Sequence, residues 1–246
     1  MTLKDRLSNS KANSLTLTEH LTELRRRLMV GLGAFVVASI VGFFLYGPLL
    51  HFLRQPYCLA SGNRCDLYVT GPLDGITVRL QIACFAGVVL ASPVVLFELW
   101  RFITPGLKSK ERKYAIPFIL VSLTLFGLGA AIAYVTLEHA LSWLSAIGGP
   151  SLRPIYNPKQ YLSLVMWMMI LFGAAFEFPV ILVGLELIRA VTWRQLLGWW
   201  RWAIIAITLA SALFTPSSDP FSMLMLMIPL IVFYFISIGL GWLFRR

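Results

Sequence analysis

Hydrophobic positions along the chain fall into runs that are too long for the core of a soluble protein. An α-helix needs about 20 apolar residues to cross a hydrocarbon layer of about 30 Å, and six runs come close to that length. They cover residues 28–46, 76–99, 114–137, 161–185, 196–214 and 221–244. The pattern therefore predicts an all-α integral membrane protein with six transmembrane helices, which form a single membrane domain over residues 1–246.

The last two runs are expected to form a tight hairpin of short helices. Only the segment "TPSSDP", residues 215–220, separates them. Three tryptophans also shorten the clean apolar part of the fifth run, namely Trp199, Trp200 and Trp202. Helices five and six are therefore predicted to be short, and such a hairpin would thin the bilayer around it.

Positive charges indicate how these helices are oriented. With the N-terminus in the cytoplasm, 16 of the 21 Lys and Arg residues fall on the cytoplasmic side and 5 fall outside. The positive-inside rule then places both termini in the cytoplasm. Topology accounts for most of the net charge of +10, and nucleic-acid binding is not expected because the spans leave no room for a soluble basic domain.

Two of the three cysteines fall in the first external loop. Cys58 and Cys65 lie seven positions apart there, whereas Cys84 lies within the second predicted span. An oxidising exterior would permit a disulfide between the two loop cysteines. Spacing alone does not distinguish this disulfide from a pair of free thiols.

The segment before the first span has the pattern of an amphipathic helix over residues 14–27. Its leucines share one helix face, while acidic and basic residues occupy the opposite face. Thr16 and Glu19 have the spacing of a capping box and predict that the helix starts there. On the polar face, Glu23 and Arg27 are spaced for an i,i+4 ion pair. The residues alone are compatible with a helix that simply lies on the membrane surface.

A second acidic residue, Glu111, lies in the cytoplasmic loop between spans two and three. Four basic residues surround it, namely Lys108, Lys110, Arg112 and Lys113. Glu111 either neutralises a basic loop or binds a cationic partner that competes with these neighbours. Composition does not choose between the two roles.

Motifs of known enzymes are absent from the sequence. There is no GxSxG motif and no HExxH motif, and no cluster of Cys, His, Asp and Glu has metal-ligand spacing. The three histidines lie near or outside the ends of the predicted spans. No enzyme activity, catalytic residue, cofactor or metal ion is therefore expected.

Glu177 is a carboxylate inside the fourth apolar run, eight residues before the run ends at Leu185. An ionised carboxylate facing lipid near mid-bilayer costs at least ~2.5 kcal/mol, so Glu177 should be protonated, paired or turned toward a wet concavity. Pro179 is predicted to kink the helix beside it. A proton-coupled carrier of small solutes that uses Glu177 is an alternative function, and a structural membrane scaffold is another.

Four motifs of the chain are "HLTELRRRL" at 20–28, "WRFITPGLKSKER" at 100–112, "FEFPV" at 176–180 and "FTPSSDPFS" at 214–222. In order and separation they resemble the signature regions of the TatC family, the polytopic receptor subunits of the twin-arginine protein translocase. The resemblance covers essentially the whole chain, including the six-span layout with both termini inside. The loop motif at 100–112 is the most specific of the four.

The resemblance implies a core receptor of a translocase driven by the proton-motive force. Such a receptor recognises twin-arginine signal peptides at the cytoplasmic face and exports folded proteins across the bacterial inner membrane. The implied partners are these signal peptides, the lipid bilayer, and single-span subunits of the TatA and TatB types in an oligomeric assembly.

The resemblance also implies roles for individual residues. Those of the signal-peptide site are Glu23, Arg25, Phe102 and Glu111. Glu177 matches a residue on a concave face of the helix bundle that docks the single-span subunits, while Pro56 and Asp219 match residues of the external loops. The chain has "KERK" where many members of the family have "HERR", so Lys113 replaces an arginine.

Overall fold

The structure is a computed structural model that describes the backbone of residues 3–61, 65–103, 115–147, 157–187, 190–215 and 219–244. Within these ranges, the side chains of residues 3–21, 102–103, 115 and 244 are not described. All regular secondary structure in the described ranges is helical. The helices are α1 (Leu3–Phe44), α2 (Tyr46–Ala60), α3 (Asp74–Ile103), α4 (Ala115–Ile147), α5 (Pro158–Ala175), α6 (Phe178–Leu187), α7 (Trp193–Gly198), α8 (Trp200–Phe214) and α9 (Pro220–Phe244).

Five helical segments in the described ranges are long and apolar enough to cross a membrane. They are Thr22–Phe44, Asp74–Arg101, Ile116–Ile147, Pro158–Leu187 and Pro220–Leu243. The predicted fifth span corresponds to α8, which has only 15 residues and is therefore about 22 Å long at a rise of 1.5 Å per residue. Five of the six predicted spans thus have membrane-crossing length, and the remaining one, the predicted fifth span, is a shorter apolar helix.

The prediction that helices five and six are both short is right for α8 and wrong for α9. Trp199 adopts a turn conformation that separates α7 from α8, so α8 begins only at Trp200. Helix α9 has 25 residues and continues through Pro229. Its sequence contains no charged residue, so the apolar run is not shortened from either end.

Helix α1 starts earlier than the sequence pattern predicts. It runs without interruption from Leu3 to Phe44, whereas the capping-box pattern places the start at Thr16. Residues 3–15 contain neither glycine nor proline, so no strong helix-stop signal separates them from the rest of α1. The N-terminal segment and the first membrane span are therefore one helix.

Helix α2 lies in the predicted first external loop, and several of its side chains are buried. Leu53 and Pro56 on α2 are buried, and the Tyr161 hydroxyl on α5 donates to the Leu53 carbonyl oxygen at 2.9 Å. A disulfide joins Cys58 at the end of α2 to Cys65, with their Cα atoms 4.7 Å apart. Of the two alternatives left open by the sequence, the structure contains the disulfide.

At the α1–α3 interface, small residues let the two backbones approach closely. A Cβ atom on Gly42 of α1 would overlap the side chain of Ala86 on α3, and one on Gly87 would overlap Ser39. This close packing fixes the register of the two helices. The register in turn decides which polar residues at their ends face each other.

Helices α5 and α6 form the centre of the bundle, and a short break separates them. In the span Pro158–Leu187, 61% of the most apolar window is buried, compared with 11% in Thr22–Phe44. The regular helix ends at Ala175 and resumes at Phe178, immediately before Pro179. The predicted kink beside Glu177 is therefore present, and it lies in the most buried of the five described spans.

Candidate functional site

A charged cleft lies between the middle of α1 and the C-terminal end of α3. Arg27 on α1 pairs with Glu23 one turn earlier on the same helix, as the sequence spacing predicts. Its guanidinium also contacts Glu98 on α3, with 3.4 Å from Nη1 to Oε2 and 3.2 Å from Nη1 to the Glu98 carbonyl oxygen. Arg27 therefore bridges two carboxylates from different helices.

The cleft has a volume of about 160 Å³. Its lining is almost entirely charged and consists of Glu23, Arg26, Arg27, Val30, Glu98 and Arg101. The carboxylates differ in accessibility, because the Glu23 side chain is 41% exposed and that of Glu98 only 16%. A ligand that approaches from solvent therefore reaches Glu23 before Glu98.

The structure brings only part of the predicted signal-peptide site together. Glu23 lines the cleft, whereas Arg25 is exposed and does not line it. Phe102 lies in the last turn of α3, next to Arg101 of the cleft, but its side chain is not described. Glu111 lies outside the described residues.

The second candidate site is Glu177, which is buried at the break between α5 and α6. The Ser122 hydroxyl on α4 donates a hydrogen bond to Oε2 of Glu177. Trp100 Nε1 on α3 donates to the Ser122 oxygen at 3.3 Å, so the three polar groups form a chain across three helices. Among the described residues, Oε1 of Glu177 is buried and has no hydrogen-bond partner.

Three other polar residues of these sites were missed by the sequence reasoning. Glu98 stands in an apolar run, as Glu177 does, and that signal could have identified it. Ser122 gave no signal, because a serine within an apolar helix commonly bonds to its own backbone. Glu186 lies one residue beyond the predicted end of the fourth span, but it is buried inside α6 against Gly241 of α9.

Asp219 and Pro56, which match external-loop residues of the family, are both buried. Pro56 is buried in α2. Asp219 is buried immediately before α9, and its Oδ1 accepts a hydrogen bond from the Ser222 backbone nitrogen at 2.7 Å. This is the geometry of an N-cap residue, with Pro220 at the first helical position.

Asp219→Ala is expected to lower the free energy of unfolding by about 0.5–2 kcal/mol, because it removes the N-cap acceptor of α9. Asp219→Asn keeps a side-chain oxygen and should retain most of the stability. The thermal unfolding midpoints of both variants in detergent test this. Equal midpoints for Asp219→Ala and the parent chain would show that the cap does not stabilise the protein.

These features define the class of protein. The described residues form an all-helical chain with five helices of membrane-crossing length, a charged cleft at one end, and a buried carboxylate within the bundle. Residues 19–229 match the family described as Sec-independent protein translocase protein (TatC). The chain belongs to this family, and the protein is therefore a component of a Sec-independent protein translocase.

Individual relatives extend over nearly all of the chain. The TatC protein of Frankia casuarinae is 41% identical over 244 residues, which are 94% of this chain and 67% of the relative. The TatC protein of Aquifex aeolicus is 35% identical over 235 residues, which are 94% of this chain and 97% of the relative. The crystal structure of a twin arginine translocase receptor, TatC, in DDM has 33% identity and a TM-score of 0.79 and covers 90% of this chain. The family predicted from the sequence motifs is confirmed.

Proposed function

We propose that this chain is the core receptor of a translocase that recognises twin-arginine signal peptides at the cytoplasmic face and uses the proton-motive force to export folded proteins. The observation that carries the proposal is the Glu23 carboxylate, which stands 41% exposed at the mouth of the charged cleft. A solved structure with 33% identity, described as a twin arginine translocase receptor, supports the same assignment.

The chemistry of the side chains favours arginine over lysine as the ligand. A guanidinium presents a planar set of donors that a carboxylate accepts two at a time, whereas an ammonium acts as a point charge. Glu23 binds one arginine of the peptide and Glu111 the other, while Arg25 and Phe102 complete the binding surface. Two carboxylates on separate segments therefore select a pair of arginines by geometry.

The proposed topology has six membrane crossings with both termini in the cytoplasm of a bacterial inner membrane. Its support is the distribution of 16 of 21 basic residues on one side. The 15-residue helix α8 makes the fifth crossing. The membrane is then locally thinner than about 30 Å, because α8 is about 22 Å long.

Single-span subunits of the TatA and TatB types dock at Glu177 in the proposed oligomeric assembly. The support is the buried Oε1 atom, which finds no hydrogen-bond partner among the described residues. Such an atom costs about 1–3 kcal/mol. A polar side chain from a neighbouring transmembrane helix would offset this cost, because hydrogen bonds between helices stabilise association in lipid.

A proton-coupled solute carrier is not favoured by the family assignment. The match to a protein translocase family covers residues 19–229 and therefore includes Glu177, the residue on which the carrier alternative depends. Glu177 keeps a role at the centre of the bundle, where it serves docking and not solute coupling.

The receptor function is tested by peptide binding to the purified protein in detergent. A labelled signal peptide with Arg-Arg and its Lys-Lys twin are titrated against the parent chain and the variants Glu23→Gln and Glu111→Gln. We expect a clear preference for Arg-Arg, and a loss in each variant larger than the ~1 kcal/mol of an exposed ion pair, which is about fivefold in affinity.

Glu138→Gln is the matched control, since it removes the same charge from α4, a helix that does not line the cleft. It should bind both peptides like the parent chain. If the two peptides bind equally, with a salt dependence that neither Glu23→Gln nor Glu111→Gln changes, the carboxylates only balance a basic surface and the receptor proposal is wrong.

A further inference from the structure

Arg27 is an internal arginine that already occupies the carboxylate proposed for the ligand. It pairs with Glu23 on its own helix and reaches across to Glu98 on α3. The Arg27 side chain is only 12% exposed, and the carboxylate and carbonyl oxygens of Glu98 both accept from its Nη1 atom. Arg27 is thus held from the inner side by Glu98 and from the outer side by Glu23.

The charges of the cleft explain why a second carboxylate matters. Two carboxylates face three guanidinium groups, those of Arg26, Arg27 and Arg101, so the lining carries one net positive charge. Without Glu98 the lining would carry two positive charges. A cationic ligand would then meet a more repulsive cleft, and Arg27 would depend on Glu23 alone.

We propose that Glu98 strengthens ligand binding in this receptor by keeping the Arg27 guanidinium paired, so that Glu23 can exchange its internal arginine for an arginine of the ligand. This inference rests on the proposed recognition of a signal peptide by Glu23. During the exchange, Arg27 keeps the carboxylate and carbonyl contacts to Glu98, and the ligand guanidinium takes the exposed carboxylate. Glu98 acts on the ligand through Arg27 and is therefore a positioning residue.

The difference in exposure supports this division of roles. Glu23 is the more accessible carboxylate, while Glu98 and Arg27 are both largely covered. The Glu98 contacts also join α1 to α3, so they hold Arg27 at a fixed place between the helices. A ligand that binds Glu23 therefore replaces one of the partners of Arg27 without leaving a buried guanidinium uncompensated, which would carry a large cost.

The test compares Glu98→Gln, Arg27→Gln and the double variant in the Arg-Arg peptide titration. Glu98→Gln should weaken binding about five- to tenfold, because Arg27 then competes for Glu23 and repels the peptide. Adding Arg27→Gln to Glu98→Gln should restore the affinity to within about twofold of the parent chain.

Salt dependence provides a measurement that does not require the Arg27 variants to fold. Repulsion between the peptide and Arg27 is screened as the Debye length falls from about 10 Å at 0.1 M salt to about 3 Å at 1 M. The affinity ratio between the parent chain and Glu98→Gln should therefore shrink as salt is raised. Glu138→Gln is again the control and should keep a ratio near one throughout.

The outcomes separate this inference from the receptor proposal. If Glu23→Gln binds the peptide as well as the parent chain does, the receptor proposal fails and the inference fails with it. If Glu23→Gln loses binding while Glu98→Gln binds normally, only the role of Glu98 is overturned. A loss in Glu98→Gln that neither Arg27→Gln nor salt reduces would also overturn it, since Glu98 would then act without Arg27.

Discussion

Gly129→Ala should lower the thermal unfolding midpoint of this chain by several degrees, although alanine is the better helix former. Gly129 on α4 lies against the C-terminal end of α5, next to the break before α6. A Cβ atom on Gly129 would stand 2.6 Å from the Phe172 carbonyl oxygen and 2.9 Å from the Phe176 ring. Both phenylalanines are fully buried. Neither can move aside, so the two helices must separate by several tenths of an ångström.

Gly127→Ala is the matched control for this substitution. Gly127 lies on the same helix, two residues away, and a Cβ atom there would meet nothing within 4 Å. Both variants gain the same helix propensity, up to about 1 kcal/mol, so the difference between them isolates the steric cost. Overpacking of this kind costs about 1–3 kcal/mol, and each kcal/mol shifts the midpoint by about 2–4 °C in a chain of 150–250 residues.

Differential scanning fluorimetry in detergent measures both midpoints. Equal midpoints for Gly129→Ala and Gly127→Ala would mean that α4 and α5 do not approach as closely as the structure describes. The same interface carries the Ser122 contact to Glu177. Gly129→Ala should therefore also disturb the surroundings of this carboxylate.

The membrane helices could be predicted because the thickness of the hydrocarbon layer fixes the length of an apolar helix. The kink beside Glu177 could be predicted as well, since Pro179 lacks the backbone donor that a continuous helix needs. Helix α2 was not predicted, because its apolar residues are spread over 15 positions that include Pro56 and do not form a membrane-length run.

The partners of the two candidate sites could not be predicted, because they depend on how distant helices pack. Arg27 and Glu98 are 71 residues apart, and Ser122 and Glu177 are 55 residues apart. Their encounters follow from interhelical register, which small residues such as Gly42 and Gly87 set through close backbone contact. Sequence periodicity identifies the face of one helix but not the residue opposite it.

Glu177→Ala is expected to abolish both crosslinking to the single-span subunits and export of a twin-arginine reporter, with Arg-Arg peptide binding kept within about twofold of the parent chain. The reason is that Glu177 is the acceptor that the proposed docking uses, while the cleft that holds Glu23 lies on other helices. Export is measured in cells that lack their own copy of the receptor, and crosslinking in membranes from the same cells.

Two further variants show whether the carboxylate itself is responsible. Ser122→Ala removes the hydrogen bond that the bundle gives to Glu177 and leaves the acid in place, so docking should be kept. Glu186→Gln alters the other buried acid of the same span, on the side that faces Gly241 of α9, and should also leave crosslinking intact.

Normal crosslinking and export in Glu177→Ala would refute the docking role. Glu177 would then be a buried acid stabilised from within the bundle by Ser122. In that case Ser122→Ala should destabilise the chain, because the carboxylate would lose the one hydrogen bond it accepts among the described residues and no subunit would replace it. The two roles of Glu177 therefore predict opposite results for Glu177→Ala, because only docking makes crosslinking and export depend on this acid.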